Sequence, residues 1–291
     1  MIKLNIAGAV VHFNYLLKEL MIQKVTNKNI QFTVYEGPNK CQWNGGRINR
    51  DIEITDEVIE KYNKNNISIS LAFTNPEIDL TDKIGNELLN KLKYYGNLYN
   101  VKNKIVLVNE DLRLYLRKNF NFELIYSITG HQSDVTINDN LINYYKDLET
   151  KYDYIVPKFE LVFQEDFYNN IDVSKYELLI NDTCKYACPF YHEHFKEIAK
   201  QNNISKNPWK ELGYDHCFKV EECWLPKFDP NVGSVQDKEK YKDKIGMAYN
   251  RDMIKTALQI GYSSFKLSGR ENTKEQIIND IKRYINVING K

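Results

Sequence analysis

Short strand-like apolar runs alternate with stretches whose apolar positions recur at helical spacing, almost from one end of the chain to the other. The strand-like runs are residues 2–7 (IKLNIA), 31–35 (QFTVY), 67–73 (ISISLAF), 104–108 (KIVLV), 123–128 (ELIYSI), 154–158 (YIVPK), 176–180 (YELLI) and 263–267 (SSFKL). The helical stretches include DKIGNELLNKLKYYG, where Ile84, Leu88, Leu89 and Leu92 fall on one face. DLRLYLRKNF, NDNLINYYKDLETKY and the closing TKEQIINDIKRYINVIN behave alike. Asp111, Asn138 and Thr273 stand where helix caps are expected.

Steady βα alternation is the pattern of a parallel sheet. No glycine-rich dinucleotide turn follows the first strand, so the pattern favours a closed (β/α)8 TIM-type barrel over an open doubly wound sheet. The whole chain, 1–291, reads as one domain. Between residues 199 and 257 the alternation lapses, and this stretch is expected to be a long insertion over the barrel mouth. Barrel enzymes place their sites at the carboxyl ends of the strands, and conspicuous polar residues follow several of them. These are Cys41, Asn75, Asn109, Glu110, Thr129, His131, Asn181, Asp182, Cys184, Ser268 and Arg270. Loops are polar everywhere, which accounts for Asn75 or Glu110 taken alone.

Charge adds an exclusion. With 40 Lys+Arg against 39 Asp+Glu there is no global drive toward nucleic acid or an anionic membrane. No basic leader or long apolar stretch marks a signal or anchor, which points to the cytoplasm. In a reducing compartment, paired cysteines are expected to be metal or cluster ligands rather than disulfide partners. Four of the five cysteines form two pairs, Cys184 with Cys188 in NDTCKYACPFYHEH and Cys217 with Cys223 in DHCFKVEECWLPKF. The fifth, Cys41, lies in YEGPNKCQWNGGRIN, where Gly45 and Gly46 allow a tight path and Arg47 offers a planar fork to an anion. A centre needing four thiolates can be assembled from Cys184, Cys188 and two of Cys41, Cys217 and Cys223. His192 and His194 are two apart, so at most one would face such a centre from a helix. His131, after a strand end, is the best placed general acid or base. No Gly-x-Ser-x-Gly elbow, His-Glu-x-x-His helix or Walker loop is present.

The segments ELLINDTCKYACPFYHEHF, CWLPKF and GYSSFKLSGR together resemble the collagenase-like peptidases of unknown catalytic type, the U-thirty-two family. In that family a strand leads to an asparagine and a cysteine-rich loop, and a late Gly-x-x-x-x-Lys-x-x-Gly-Arg element closes the barrel. Here the late element is Gly261, Lys266, Gly269 and Arg270. The resemblance implies a TIM-type barrel with a cysteine-bound [4Fe–4S] cluster. Its better understood members carry out oxygen-independent hydroxylation of quinone precursors or RNA bases. It makes Cys184 and Cys188 ligands, adds Cys41 from the loop after the second strand, and completes the set with Cys217 or Cys223. From their own places at the strand ends, His131 and Arg270 are expected in catalysis, and Arg47, Asn181 and Lys266 against substrate. The spacing of the later cysteine pair departs from the family pattern. The chain also lacks the extra carboxyl-terminal domains of longer relatives, which counts against a large RNA substrate. Three functions follow as expectations. The first is an iron–sulfur redox enzyme acting on a small polar or anionic molecule, with a homologous partner subunit. The second is a peptidase. The third is a non-catalytic binding subunit stapled by a four-cysteine zinc site.

Overall fold

The computed structural model describes residues 1–38, 40–45, 53–131, 135–181, 249–269 and 273–290. Eight parallel strands form one sheet: β1 Ile2–Ala7, β2 Ile30–Glu36, β3 Ser68–Phe73, β4 Lys104–Leu107, β5 Glu123–Tyr126, β6 Tyr154–Ile155, β7 Glu177–Leu179 and β8 Ser264–Leu267. Their spatial order is β6-β5-β4-β3-β2-β1-β8-β7. A parallel bridge from Ile155 to Tyr176 joins the two ends of that order, so the sheet closes on itself. The expected (β/α)8 barrel is the observed one, with helices α1 Phe13–Thr26, α2 Asp56–Lys64, α3 Lys83–Tyr99, α4 Glu110–Asn119, α5 Asp139–Lys151, α6 Glu165–Tyr168, α7 Arg251–Ile260 and α8 Lys274–Ile288 between and after the strands.

The strands obey the two-residue alternation of a pleated sheet. Leu4, Ile6, Phe32, Val34, Ile69, Leu71, Ile105, Leu107, Leu124, Leu178, Phe265 and Leu267 face outward and are buried beneath the helices in one continuous apolar layer. A strand of a parallel barrel is covered on both faces, which is why these runs are short and almost wholly sequestered. β6 ends at Ile155, short of the expected 154–158, two residues before Pro157, which has no N–H to give a ladder.

Helix starts follow local chemistry. Asn138 and Thr273 cap α5 and α8 as expected, Thr273 in a reciprocal capping box with Gln276. The cap of α4 is Asn109, whose side chain accepts from the Leu112 N–H, while Asp111 lies inside the first turn. The expectation for Asp111 is therefore corrected by two residues; its carboxylate still faces the positive end of the helix. On α3 the buried stripe is Gly85, Leu88, Leu89, Leu92 and Gly96, and Ile84 is 37% exposed rather than part of it. Gly85 replaces it because the Trp43 indole lies over that turn: a Cβ on Gly85 would come within 2.4 Å of Cε3. Within the stretch 199–257 read as an insertion, α7 begins at Arg251, so its last residues are regular barrel helix; residues 199–248 lie outside the described residues.

Candidate functional site

The inward faces of the strands do not form the uniform apolar filling common in such barrels. One wall is apolar, built from Val106, Ile125, Ile128, Val156, Phe159 and Leu179. The adjoining inward face, from β8, β1, β2 and β3, is polar: Lys266, Asn5, Thr33, Ser68 and Ser70, joined by Glu177 from β7, the strand that also supplies Leu179. Near the amino ends Lys3 is hydrogen-bonded to the Tyr154 hydroxyl, and Lys104 pairs with Glu123 at 3.2 Å. Burial, then the like charge of Lys104, holds the Lys3 amine below its ordinary range.

Glu177 is the residue around which the polar wall is organised, and its carboxylate is 1% exposed. Oε2 accepts from Asn5 Nδ2 at 2.7 Å, and Oε1 lies 3.6 Å from Lys266 Nζ. The Lys266 ammonium also sits 4.3 Å from the centre of the Tyr35 ring, whose hydroxyl donates to the Leu267 carbonyl. Lys266 was expected to bind substrate; the structure puts it inside the lumen in an ion pair. Glu177 and Asn5 were not anticipated. The available signal was polar residues at inward positions of short, otherwise apolar strands, Glu177 in YELLI and Lys3 with Asn5 in IKLNIA, because such residues must be paired to be buried.

At the carboxyl rim, Asn181 works as a clamp between strand ends. Its Nδ2 donates to the Ser268 carbonyl at 2.8 Å, its Oδ1 accepts from the Ser268 N–H at 2.6 Å, and Asp280 on α8 lies 3.4 Å from Nδ2. The Tyr284 hydroxyl donates to the Ile180 carbonyl beside it. The amide expected to touch substrate thus fixes the two points from which residues 182–248 and 270–272 depart.

Cys41 lies on the same rim, in the loop after β2. Its thiol is 3.9 Å from Asp82 Oδ1, and Asp82 also accepts from the Gln42 N–H and caps α3. Gly45 is needed there because a Cβ would fall 2.5 Å from the Asn75 Cα, and Asn75 itself ties the two loops by donating to the Gln42 carbonyl. Burial, then the Asp82 charge, pushes the Cys41 thiol from 9.0 up to about 12. It is a thiol at neutral pH and becomes a thiolate ligand only beside a compensating cation.

His131 follows the short turn Ile128–Gly130 after β5 and is 2% exposed. Nε2 donates to the Val156 carbonyl at 2.8 Å, and Nδ1 is 3.1 Å from the Tyr144 hydroxyl, which is itself 3.3 Å from that of Tyr126. The ring packs among Tyr126, Tyr144 and Tyr145. Through these contacts His131 ties the turn after β5 to the end of β6 and to α5.

This aromatic cluster makes the fold sensitive to alkali. Burial raises the phenols of Tyr126, Tyr144, Tyr145, Tyr152 and Tyr176 above their ordinary 10.0. For Tyr176, burial is followed by the neighbouring Glu149 charge. A group whose folded value is raised contributes stability that is whole below its unfolded value and is lost as pH climbs toward the folded one. Stability is therefore expected to hold up to about pH 9, where Cys41 would ionise in the unfolded chain, and to collapse above 10 as the phenols follow. The check is a pH series of thermal melts with phenolate absorbance, which should appear in the unfolding transition. Exposed phenols contribute their own earlier step, so the result that would contradict this burial is complete phenolate formation in a chain that is still folded.

Arg47, Arg270, Cys184, Cys188, Cys217 and Cys223 lie outside the described residues. Among the described residues no group of three or more His, Cys, Asp or Glu side chains is placed to hold a metal ion, and no helix is long and apolar enough to cross a membrane.

No protein-family model matches this sequence, and no curated protein matches it. Among solved structures, that of the U32 peptidase Mk0906 resembles this chain with a TM-score of 0.53, covering 92% of this chain and 93% of that one at 10% sequence identity. What the chain shares with that U32 peptidase is its fold, an eight-stranded parallel barrel matched over nearly the full length of both.

Proposed function

We propose that this barrel is an iron–sulfur redox enzyme of the hydroxylating type, acting at its carboxyl-terminal mouth on a small polar or anionic molecule. The observation that carries the reading is the common rim of Asn181 and Cys41. The strand ends that lead into the cysteine-bearing segments open where barrel enzymes do their chemistry, directly above the polar wall. Thiolates suit such a cluster. Cys184 and Cys188 would hold it, with two of Cys41, Cys217 and Cys223. For Cys41 the cluster's own charge would have to replace the thiol proton and outweigh Asp82. The cluster would supply one-electron transfer. The chain's own residues would do the rest. Asn181 would fix the rim, Arg47 and Arg270 would hold an anionic group, Lys266 and Glu177 would orient the substrate's polar atoms, and the apolar wall would exclude water.

The test is the iron content of single alanine variants at each cysteine. Cys184→Ala and Cys188→Ala are expected to abolish iron retention, and only two of the other three should do so. Full iron in Cys184→Ala would break the assignment at its firmest point.

Peptidase activity is the second reading, favoured by the fold shared with a U32 peptidase. It lacks a nucleophile and base pair among the described residues: Cys41 faces Asp82, and His131 is committed to Val156 and Tyr144.

A further inference from the structure

Helix α1 is apolar on both of its sides. Leu16 and Leu20 are buried against the barrel, with Phe13 and Leu17 packed beside them. On the side turned to solvent, Tyr15 is 53% exposed, Ile22 50% and Val25 73%, and Met21 beside Ile22 is exposed as well. Tyr15, Lys18, Ile22 and Val25 follow one another at steps of three and four residues, so they form one ridge about 15 Å long. Single exposed apolar side chains need no explanation, but an aligned row on a helix marks a surface that is covered in use.

The ridge carries charge of one sign. The only carboxylate on α1, Glu19, is buried and lies 3.6 Å from Lys282 on α8, so the helix has no exposed acid. Lys18 stands within the ridge, an apolar stem with an ammonium at its tip, and Lys28 lies just past the end of the helix; both are exposed. Lys274 on α8 lies over the Tyr15 ring, 4.3 Å from its centre, and Glu275 beside it is 3.5 Å from that same lysine.

A protein partner fits these features poorly. A stable protein interface takes about 20–30 residues a side, far more than one ridge supplies, and a second copy would set this lysine-bearing face against itself. An anionic bilayer meets both features at once: apolar tips enter the acyl boundary, a tyrosine sits at headgroup level and lysines reach the lipid phosphates. We propose that α1 docks this barrel reversibly on an anionic lipid bilayer, Tyr15, Ile22 and Val25 entering its surface while Lys18 and Lys28 meet the phosphates. The near balance of 40 basic and 39 acidic residues over the whole chain does not oppose this. A leaflet's potential decays within a Debye length of roughly 8–10 Å, so it acts on the facing side chains and not on the net charge.

The experiment is co-sedimentation of the full chain with vesicles of phosphatidylcholine alone and of phosphatidylcholine mixed with phosphatidylglycerol. The chain is expected to be retained by the mixed vesicles, to pass the neutral ones, and to be released by high salt. Ile22→Asp with Val25→Asp alters exposed positions, so the circular dichroism spectrum and melting temperature should be kept while affinity for the mixed vesicles falls roughly tenfold or more. Lys18→Glu, which leaves the apolar tips in place, should weaken retention as well. No retention by mixed vesicles, equal retention by both compositions, or retention unchanged in the folded double variant overturns the proposal. So does a dimer in light scattering that the double variant dissolves, which would give the ridge to a second copy.

Discussion

Glu177→Ala is expected to destabilise the barrel by about 3–5 kcal/mol, the scale of breaking a buried ion pair by removing one partner. The loss is larger than that of one contact because two other groups are stranded. Asn5 Nδ2 loses its 2.7 Å acceptor, and the Lys266 ammonium, on a side chain 12% exposed, loses its counter-charge at 3.6 Å. Glu177→Gln keeps the shape and an acceptor for Asn5, so it should cost less, on the order of 1.5–3 kcal/mol for hydrogen bonds to a charged group. Urea unfolding of both variants beside the unaltered chain measures the difference. Equal midpoints for all three proteins would mean that the carboxylate is solvated and the polar wall is not assembled as described.

Trp43→Ala should be comparably damaging, about 3–5 kcal/mol for a large buried aromatic side chain. The indole is fully buried, meets Phe73 edge to face at 5.2 Å, donates from Nε1 to the Asp79 carbonyl at 2.6 Å and fills the space that Gly85 leaves on α3. At roughly 2–4 °C per kcal/mol for a chain of this size, the melting temperature should drop by about 10 °C. The loop that loosens is the one carrying Cys41, so alkylation of that thiol near pH 8, negligible in the unaltered protein because the buried thiol titrates at about 12, should become measurable. A variant that melts within a degree of the unaltered chain and leaves Cys41 inert would show that Trp43 does not anchor the rim.

The barrel was legible because the signals that specify it are local. Residues 2–7 were read with the bounds that the structure gives, and Asn138 and Thr273 cap the helices they precede. The misplaced details have tertiary causes. Ile84 has the right spacing for the buried face of α3, but the space below is taken by Trp43, a residue one βα unit earlier in the chain. His131 stands at a strand end, and its contacts with the Tyr144 hydroxyl and the Val156 carbonyl depend on elements that follow it in the chain. The lumen pair was hidden for a related reason. Glu177 and Lys266 lie nearly ninety positions apart in sequence and meet only because β7 and β8 pair in register, Glu177 opposite Ser264 and Leu179 opposite Lys266. Asn181 was singled out correctly as a rim residue, but its role as a clamp on Ser268 depends on that same pairing.

The central claim is the cluster, and the most direct measurement is the iron, acid-labile sulfide and zinc content of protein purified without oxygen, read with its absorption spectrum. The iron–sulfur reading predicts iron and sulfide in near-equal amounts, with a broad band near roughly 400 nm that bleaches on reduction. Stoichiometric zinc with no sulfide would contradict it and leave a barrel stapled by a structural four-cysteine site.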